Sequence, residues 1–143
     1  ANDLAENSFL IEEFLARELE ANRLKLNLKP TSHKKALLHG HCHQKAFAVM
    51  GSVKTILAQV PDLKVETLNS SCCGMAGAFG FEKENLEVSK RMAEASLLPA
   101  VSAADEQTII VADGTSCRHQ ISEGTNRKAV HVMRVLDEAL AGV

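Results

Sequence analysis

The spacing of apolar positions changes several times along the chain. In "SFLIEEFLARELEANRL", Phe9, Leu10, Phe14, Leu15 and Leu19 recur at helical intervals behind Asn7 or Ser8 as caps. The acidic residues fall between them, so this segment predicts a surface helix docked through its apolar stripe. "LKLNLKPTSHK" reads as a linker with Pro30 and a polar cluster. Short apolar runs then alternate with helical stretches. "KALLHG" predicts a buried strand, and "AFAVMGSVKTILAQV" sets Phe47, Met50, Val53, Ile56, Leu57 and Val60 on one helical face. "DLKVETLN" alternates Leu63, Val65 and Thr67 as a second strand. "EKENLEVSKRMAEASLLPA" is helical to a stop near Pro99, and "QTIIVA" is a short β-branched third strand. A turn or two of helix follows around "SCRHQISEG", then a fourth strand in "KAVHVM" and a closing helix in "RVLDEALAG".

Strands alternating with helices at these intervals imply βαβ units. The expected fold is α/β: a small, open, mostly parallel sheet of about four strands, helices on both faces, and an N-terminal helix. Residues 1–34 are read as that helix and its linker, residues 35–143 as the α/β domain.

At 143 residues the chain is long enough for one independent core. That core must be largely aliphatic, because Trp and Tyr are absent. A net charge of -2 speaks against a nucleic-acid surface, which needs concentrated basic residues. No apolar run approaches the ~18 residues of a membrane span, and no secretory signal stands at the start. The opening Ala-Asn-Asp, without Met, fits trimming, a tag remnant or a domain cut from a longer polypeptide. Four cysteines without a secretory signal then read as reduced thiols in the cytoplasm, or at its membrane face, rather than as disulfides.

The placement of those cysteines carries the chemistry. Cys42 follows the first predicted strand, Cys72 and Cys73 the second, and Cys117 the third. Ligands of open parallel sheets bind outside the carboxyl ends of the strands, so all four thiols are expected at one edge. Scattered core cysteines have no reason to show this pattern. Soft thiolates select zinc, copper(I) or iron–sulfur centres. No pair of CxxC knuckles suggests structural zinc. Adjacent side chains such as Cys72 and Cys73 diverge along an extended backbone, which suits a multi-iron cluster better than one tetrahedral ion. Gly74, Gly77 and Gly80 are expected to let the loop turn sharply and approach that inorganic core, with helix-start amides offsetting its charge.

"HGHCHQKA", "SSCCGMAGAFGFE" and "DGTSCRHQ" together resemble the cysteine-rich CCG domain. That domain occurs in the cysteine-rich subunit of heterodisulfide reductase and in the iron–sulfur subunits of glycolate oxidase and anaerobic glycerol-3-phosphate dehydrogenase. It also ends the fused FAD-linked 2-hydroxyacid dehydrogenases, whose wording is most similar. The resemblance runs from about Ala36 to Glu138. It implies metal ligands at Cys42, Cys72, Cys73 and Cys117, with Gly74, Gly77 and Gly80 as the cofactor loop. It further implies an iron–sulfur cluster of the 4Fe-4S type, with zinc as the alternative, and FAD on a separate domain or subunit. Electrons from a glycolate-, lactate- or 2-hydroxyglutarate-type substrate would pass through the cluster to a quinone or another acceptor. One departure stands out: the family's final Cys-x-x-Cys reads Cys117-Arg118-His119-Gln120, so Gln120 replaces the last cysteine. A five-cysteine noncubane cluster needs that residue; four thiols still suffice for a four-iron cluster.

His39, His41 and His43 alternate, and an extended strand would send all three to one face and Cys42 to the other. His41 or His43 is then either a ligand or hydrogen-bond donor at the centre, or a polar filler of the crevice rim. His119, near Cys117, is the substitute ligand if the metal is zinc. Lys45, Arg118 and Lys83 read as surface charges, the first two close enough to lower thiol pKa values. His33 and His131 read as structural, and Met75 and Phe79 as loop packing. Three functions compete: an electron-transfer module, a thiol/disulfide redox site, and a zinc-bound or metal-free scaffold.

Overall fold

The computed structural model describes residues 2–141. The end of the predicted closing helix, Gly142, lies outside them. Two short helices come first, α1 (Asn2–Glu6) and α2 (Ile11–Glu20). Then follow β1 (Lys35–His39), α3 (Cys42–Ala46), α4 (Met50–Leu57), β2 (Lys64–Thr67), α5 (Leu86–Glu94) and α6 (Leu97–Ala103). β3 (Thr108–Ala112), α7 (Thr115–Gly124), β4 (Ala129–Val130) and α8 (Val132–Ala139) complete the order. The strands form one wholly parallel sheet in the order β2-β1-β3-β4, so the α/β expectation holds.

Strand alternation divides the interior into two cores, one on each face of the sheet. Ala36, Leu38 and Val111 pack with Ala16, Val53, Ile56, Leu57, Val135 and Leu136 from α2, α4 and α8. Leu37, Ile110 and Ala112 face the other way, against Ala93, Leu97, Val101 and Ile121 from α5, α6 and α7. The register pairs Leu38 with Val111 and Leu37 with Ile110, which keeps each set on its own face. β2 is a solvent-exposed edge, whereas β1 and β3 lie at the buried centre.

Several elements differ from the sequence reading. The docking face of α2 overlaps the expected stripe only in part: Leu15 packs against the core, but Phe9, Leu10 and Phe14 remain exposed, while Ala16 and the carboxylate-bearing Glu12 are buried. The long helix predicted before Pro99 is two helices. Pro99 sits in the first turn of α6, where its missing N–H breaks no helical bond, so it helps start a helix rather than stop one. Phe47 caps the end of α3 and is 73% exposed instead of sharing the face of α4. β4 shrinks to two residues because His131 turns the chain into α8: its Nδ1 accepts from Met133 N at 3.2 Å, and Val132 N donates to Asp113 Oδ1 at 2.8 Å.

Candidate metal centre

β1 and β3 are sequence-distant neighbours whose following helices pack on opposite faces, which opens a crevice at their carboxyl ends. The loops after β1, β2 and β3 all end there. Cys42 begins α3, Cys72 and Cys73 lie on the loop after β2, and Cys117 is in the first turn of α7. Cys73 Sγ and Cys117 Sγ, both buried, are 3.3 Å apart. Cys42 lies exposed beside Cys72; burial first, and then the neighbouring Cys72 thiol, push the Cys42 thiol up. The adjacent cysteines therefore diverge, as an extended backbone requires: Cys72 turns to Cys42 and Cys73 to Cys117. The structure brings the four sulfurs of three loops to one edge of the sheet.

Electrostatics inside this group are set by shared protons. The Cys117 hydrogen bond holds the Cys73 thiol far below its usual range, to about 4, against the opposing effect of burial; His39 and the Met75 backbone help. The same contact, with burial, pushes Cys117 strongly upward. Two buried thiols cannot easily ionise together, so the pair loses one proton readily and keeps the other. Gly74 N also donates to Cys72 Sγ at 3.3 Å. Two thiol pairs at one edge, Cys73 with Cys117 and Cys42 with Cys72, with Cys73 already favouring the thiolate, fit a soft metal centre by the chemistry of their donors.

The chain is 33% identical over 134 residues to the C subunit of anaerobic glycerol-3-phosphate dehydrogenase from Escherichia coli K12, covering 92% of this chain and 32% of that one. It is 29% identical over 136 residues to D-2-hydroxyglutarate dehydrogenase of Pantoea ananatis, covering 94% and 13% respectively. A 74-residue stretch is 36% identical to the D-2-hydroxyglutarate dehydrogenase of Pseudomonas putida KT2440. These relatives are dehydrogenases. The chain spans about a third of the length of the first and about an eighth of the second. No protein-family profile and no solved structure match it.

The histidines depart most from expectation. β1 ends at His39, so the three alternating rings do not share a face. His41 caps α3, its Nδ1 accepting from His43 N at 3.3 Å, and burial lowers its pKa. His43 is exposed, stacked between His41 and Phe47. His39, which sequence reasoning passed over, is the buried one, 1% exposed. Its Nδ1 meets Ser70 Oγ at 2.8 Å, its Nε2 is buried, and one of its ring nitrogens lies within 4.8 Å of both Cys73 Sγ and Cys117 Sγ. A signal for it exists: as the last residue of β1 it shares the face of Leu37, the face that carries Cys73 and Cys117. His119 does not join the group. Two residues along a helix turn a side chain by about 200° from Cys117, and His119 ends exposed, edge-on to Phe81 at 6.1 Å.

Gly74 and Gly77 take positive φ, 89° and 68°, as the expected sharp turn requires, and two of the three glycines serve a packing contact as well. A Cβ on Gly74 would stand 2.1 Å from Ser89 O, and one on Gly80 2.6 Å from Ser89 Oγ, so both glycines let the loop lie on α5. Gly77 faces open space. Gly114 has an unforeseen role: a Cβ there would lie 2.3 Å from the His41 ring and 3.0 Å from Cys117 Sγ. Gln120 is buried and donates through Nε2 to Cys73 O at 2.9 Å and to Ser89 O and Oγ at 3.1 Å, so it fastens the loop from behind. Lys45 and Arg118 likewise clamp backbone. Lys45 Nζ donates to the carbonyls of Ser70 and Ser71, and Arg118 to those of Ala112 and Asp113. Lys83 lies at the exposed surface.

A second group lies beside the first. His131 approaches Glu12 at 3.5 Å and Asp113 at 3.6 Å, at the wall of a cavity of about 410 Å³ that His41 and His43 also line. Asp113 is committed to Gln44 Nε2 at 2.6 Å and to Val132 N, so this group ties α2, β3 and α8 together. His131 is structural in that sense, as expected; His33, bound through Nδ1 to Gln107 O, is too.

Proposed function

We propose that the chain is the metal-holding electron-transfer domain of an FAD-linked 2-hydroxyacid or glycerol-3-phosphate type dehydrogenase. The observation that carries this reading is the convergence of Cys42, Cys72, Cys73 and Cys117 at the sheet edge. The donors fit an iron–sulfur cluster of the 4Fe-4S type, which would supply one-electron redox capacity when bound. The chain's own residues would hold the group through the four thiolates and offset its charge with the Gly74 N–H. They would shield it by burying Cys73 and Cys117, while exposed Cys42 marks the side from which electrons enter or leave.

Relatedness to dehydrogenases supports a redox role. Because the chain matches only part of each relative, a flavin domain or subunit that takes hydride from the substrate has room elsewhere in such an assembly. A quinone or another acceptor would take the electrons onward. Among the described residues no helix is long and apolar enough to cross a membrane, so any membrane contact made by them would be peripheral. The thiol/disulfide alternative is less favoured, since two of the four sulfurs, Cys73 and Cys117, are buried and only Cys42 is exposed.

The test is anaerobic purification followed by iron and acid-labile sulfide analysis and a visible spectrum. Brown protein with about four irons and four sulfides per chain is expected for this cluster type. Colourless protein that takes up neither iron nor sulfide on anaerobic reconstitution refutes the reading.

A further inference from the structure

His39 has a buried ring nitrogen, Nε2, that is the unpartnered buried side-chain polar atom among the described residues. Leaving such an atom without a partner is unfavourable, so its persistence at a donor-rich edge calls for a ligand. The rest of the ring is tightly held. Nδ1 meets Ser70 Oγ at 2.8 Å, and Ser70 is fixed in turn by Lys45 Nζ on its carbonyl and by its own N–H on Leu68 O. If Nδ1 donates its proton to Ser70, Nε2 is left with a bare lone pair, on a ring that has a nitrogen within 4.8 Å of both Cys73 Sγ and Cys117 Sγ. Metal-bound histidines are oriented through their second nitrogen in this way.

We propose that His39 Nε2, Cys73 Sγ and Cys117 Sγ bind the same metal atom, and that Cys42 and Cys72 form a separable outer half of the centre. The distances carry this assignment. Two thiolates on one tetrahedral ion stand about 3.8 Å apart, and a thiolate and an imidazole nitrogen about 3.5 Å apart, from metal–ligand lengths near 2.3 and 2.05 Å. The observed 3.3 Å between Cys73 and Cys117, and the 4.8 Å limit on all three separations, bring these donors within a small adjustment of that triangle. All three are buried, whereas Cys42 is exposed and Cys72 half-buried. Three protein donors leave a tetrahedral ion one open position, where a sulfide or another thiolate can attach. The assignment rests on the reading that this edge holds metal, and it describes the mononuclear occupant, zinc being the alternative to the cluster: an iron of a four-iron cubane already carries three sulfides and takes one protein ligand.

Cobalt(II) separates the two questions. The chain is freed of metal, kept reduced and titrated anaerobically with Co²⁺ alone, monitoring thiolate-to-cobalt charge transfer and tetrahedral ligand-field bands. Wild type is expected to bind one ion tightly, and Cys42→Ser and Cys42→Ser/Cys72→Ser should keep that ion and its spectrum. His39→Asn retains an amide able to meet Ser70 but lacks Nε2, and His39→Gln places a hydrogen-bond donor near the Nε2 position. Both should lose about 100-fold or more in affinity, since even outer partners of ligands are worth 10–100-fold. X-ray absorption of cobalt-loaded wild type should show imidazole scattering. Urea midpoints of the metal-free variants identify any that fail to fold.

Unchanged cobalt affinity in folded His39→Asn overturns the assignment. So does full retention in His39→Gln, which would make the ring a hydrogen-bond donor instead of a ligand. Loss of cobalt from folded Cys42→Ser also overturns it. None of these outcomes depends on whether wild type assembles iron with sulfide, the measurement on which the electron-transfer reading stands.

Discussion

Gly74→Ala tests whether the cysteine loop is held in place by its contact with α5. Gly74 has φ of 89°, where an L-residue is strained, and its added Cβ would stand 2.1 Å from Ser89 O and 2.9 Å from Ser89 C. The obstacle is helix backbone, which cannot rotate aside. The left-handed conformation costs about 1–2 kcal/mol, and forcing atoms into a packed contact about 1–3 kcal/mol more. The sum, about 2–5 kcal/mol, is a large share of the stability of an ordinary domain. With a urea slope near 2 kcal/mol/M, the midpoint should fall by about 1–2.5 M. Gly77→Ala is the control, because Gly77 also has a positive φ, 68°, but its Cβ meets nothing within 4 Å. That variant should lose only the conformational part, under about 1 M. Equal midpoints for the two variants would refute the packing argument and return both glycines to a purely conformational role.

Gln120→Ala should cost about 2–4 kcal/mol in urea denaturation, because it strips Cys73 O, Ser89 O and Ser89 Oγ of a common donor; a change within 0.5 kcal/mol of zero (about the noise of a surface substitution) contradicts that role. Glu12 gives a pH prediction. Burial raises its pKa, with Asp113 and Glu13 adding to the rise and His131 and the local backbone opposing it. A raised folded pKa stabilises the fold below the unfolded value, about 4.3, and that contribution is lost as pH climbs through the folded value. Relative to wild type, Glu12→Gln should therefore gain stability as pH rises above the unfolded value, about 4.3, read from urea midpoints along a pH series. A stability difference that stays flat or shrinks with rising pH would show that the His131 contact outweighs burial.

The fold was legible where period and burial coincide. β1 and β3 are central strands covered on both faces, so their apolar runs stood out, and the alternation with helices predicted the parallel sheet. Misreadings occurred where one residue's local role outranked the pattern. Pro99 has the same composition signal at a helix start as at a stop, and only its position in the first turn distinguishes them. His131 ended β4 by capping α8, a side-chain bond that periodicity does not register. The aromatic stripe of α2 has a strong helical period yet faces outward, because Glu12 on the other face finds His131.

At the site, strand topology alone brought distant cysteines together, since each follows a strand of the same parallel sheet. The histidines required knowing the residue at which β1 ends. Alternation continued through His43 groups His39 with His41 and His43; alternation stopped at His39 groups it with Leu37, Cys73 and Cys117. Gly40 permits that stop, because a Cβ there would meet the Met50 side chain at 2.5 Å, and the chain turns immediately into α3. Where β1 stops thus decides which imidazole sits among the thiols. The buried, unpaired Nε2 of His39 is the physical trace of that decision: the fold leaves a nitrogen lone pair or proton unsatisfied in an apolar interior, on a ring that has one nitrogen within 4.8 Å of the two buried sulfurs.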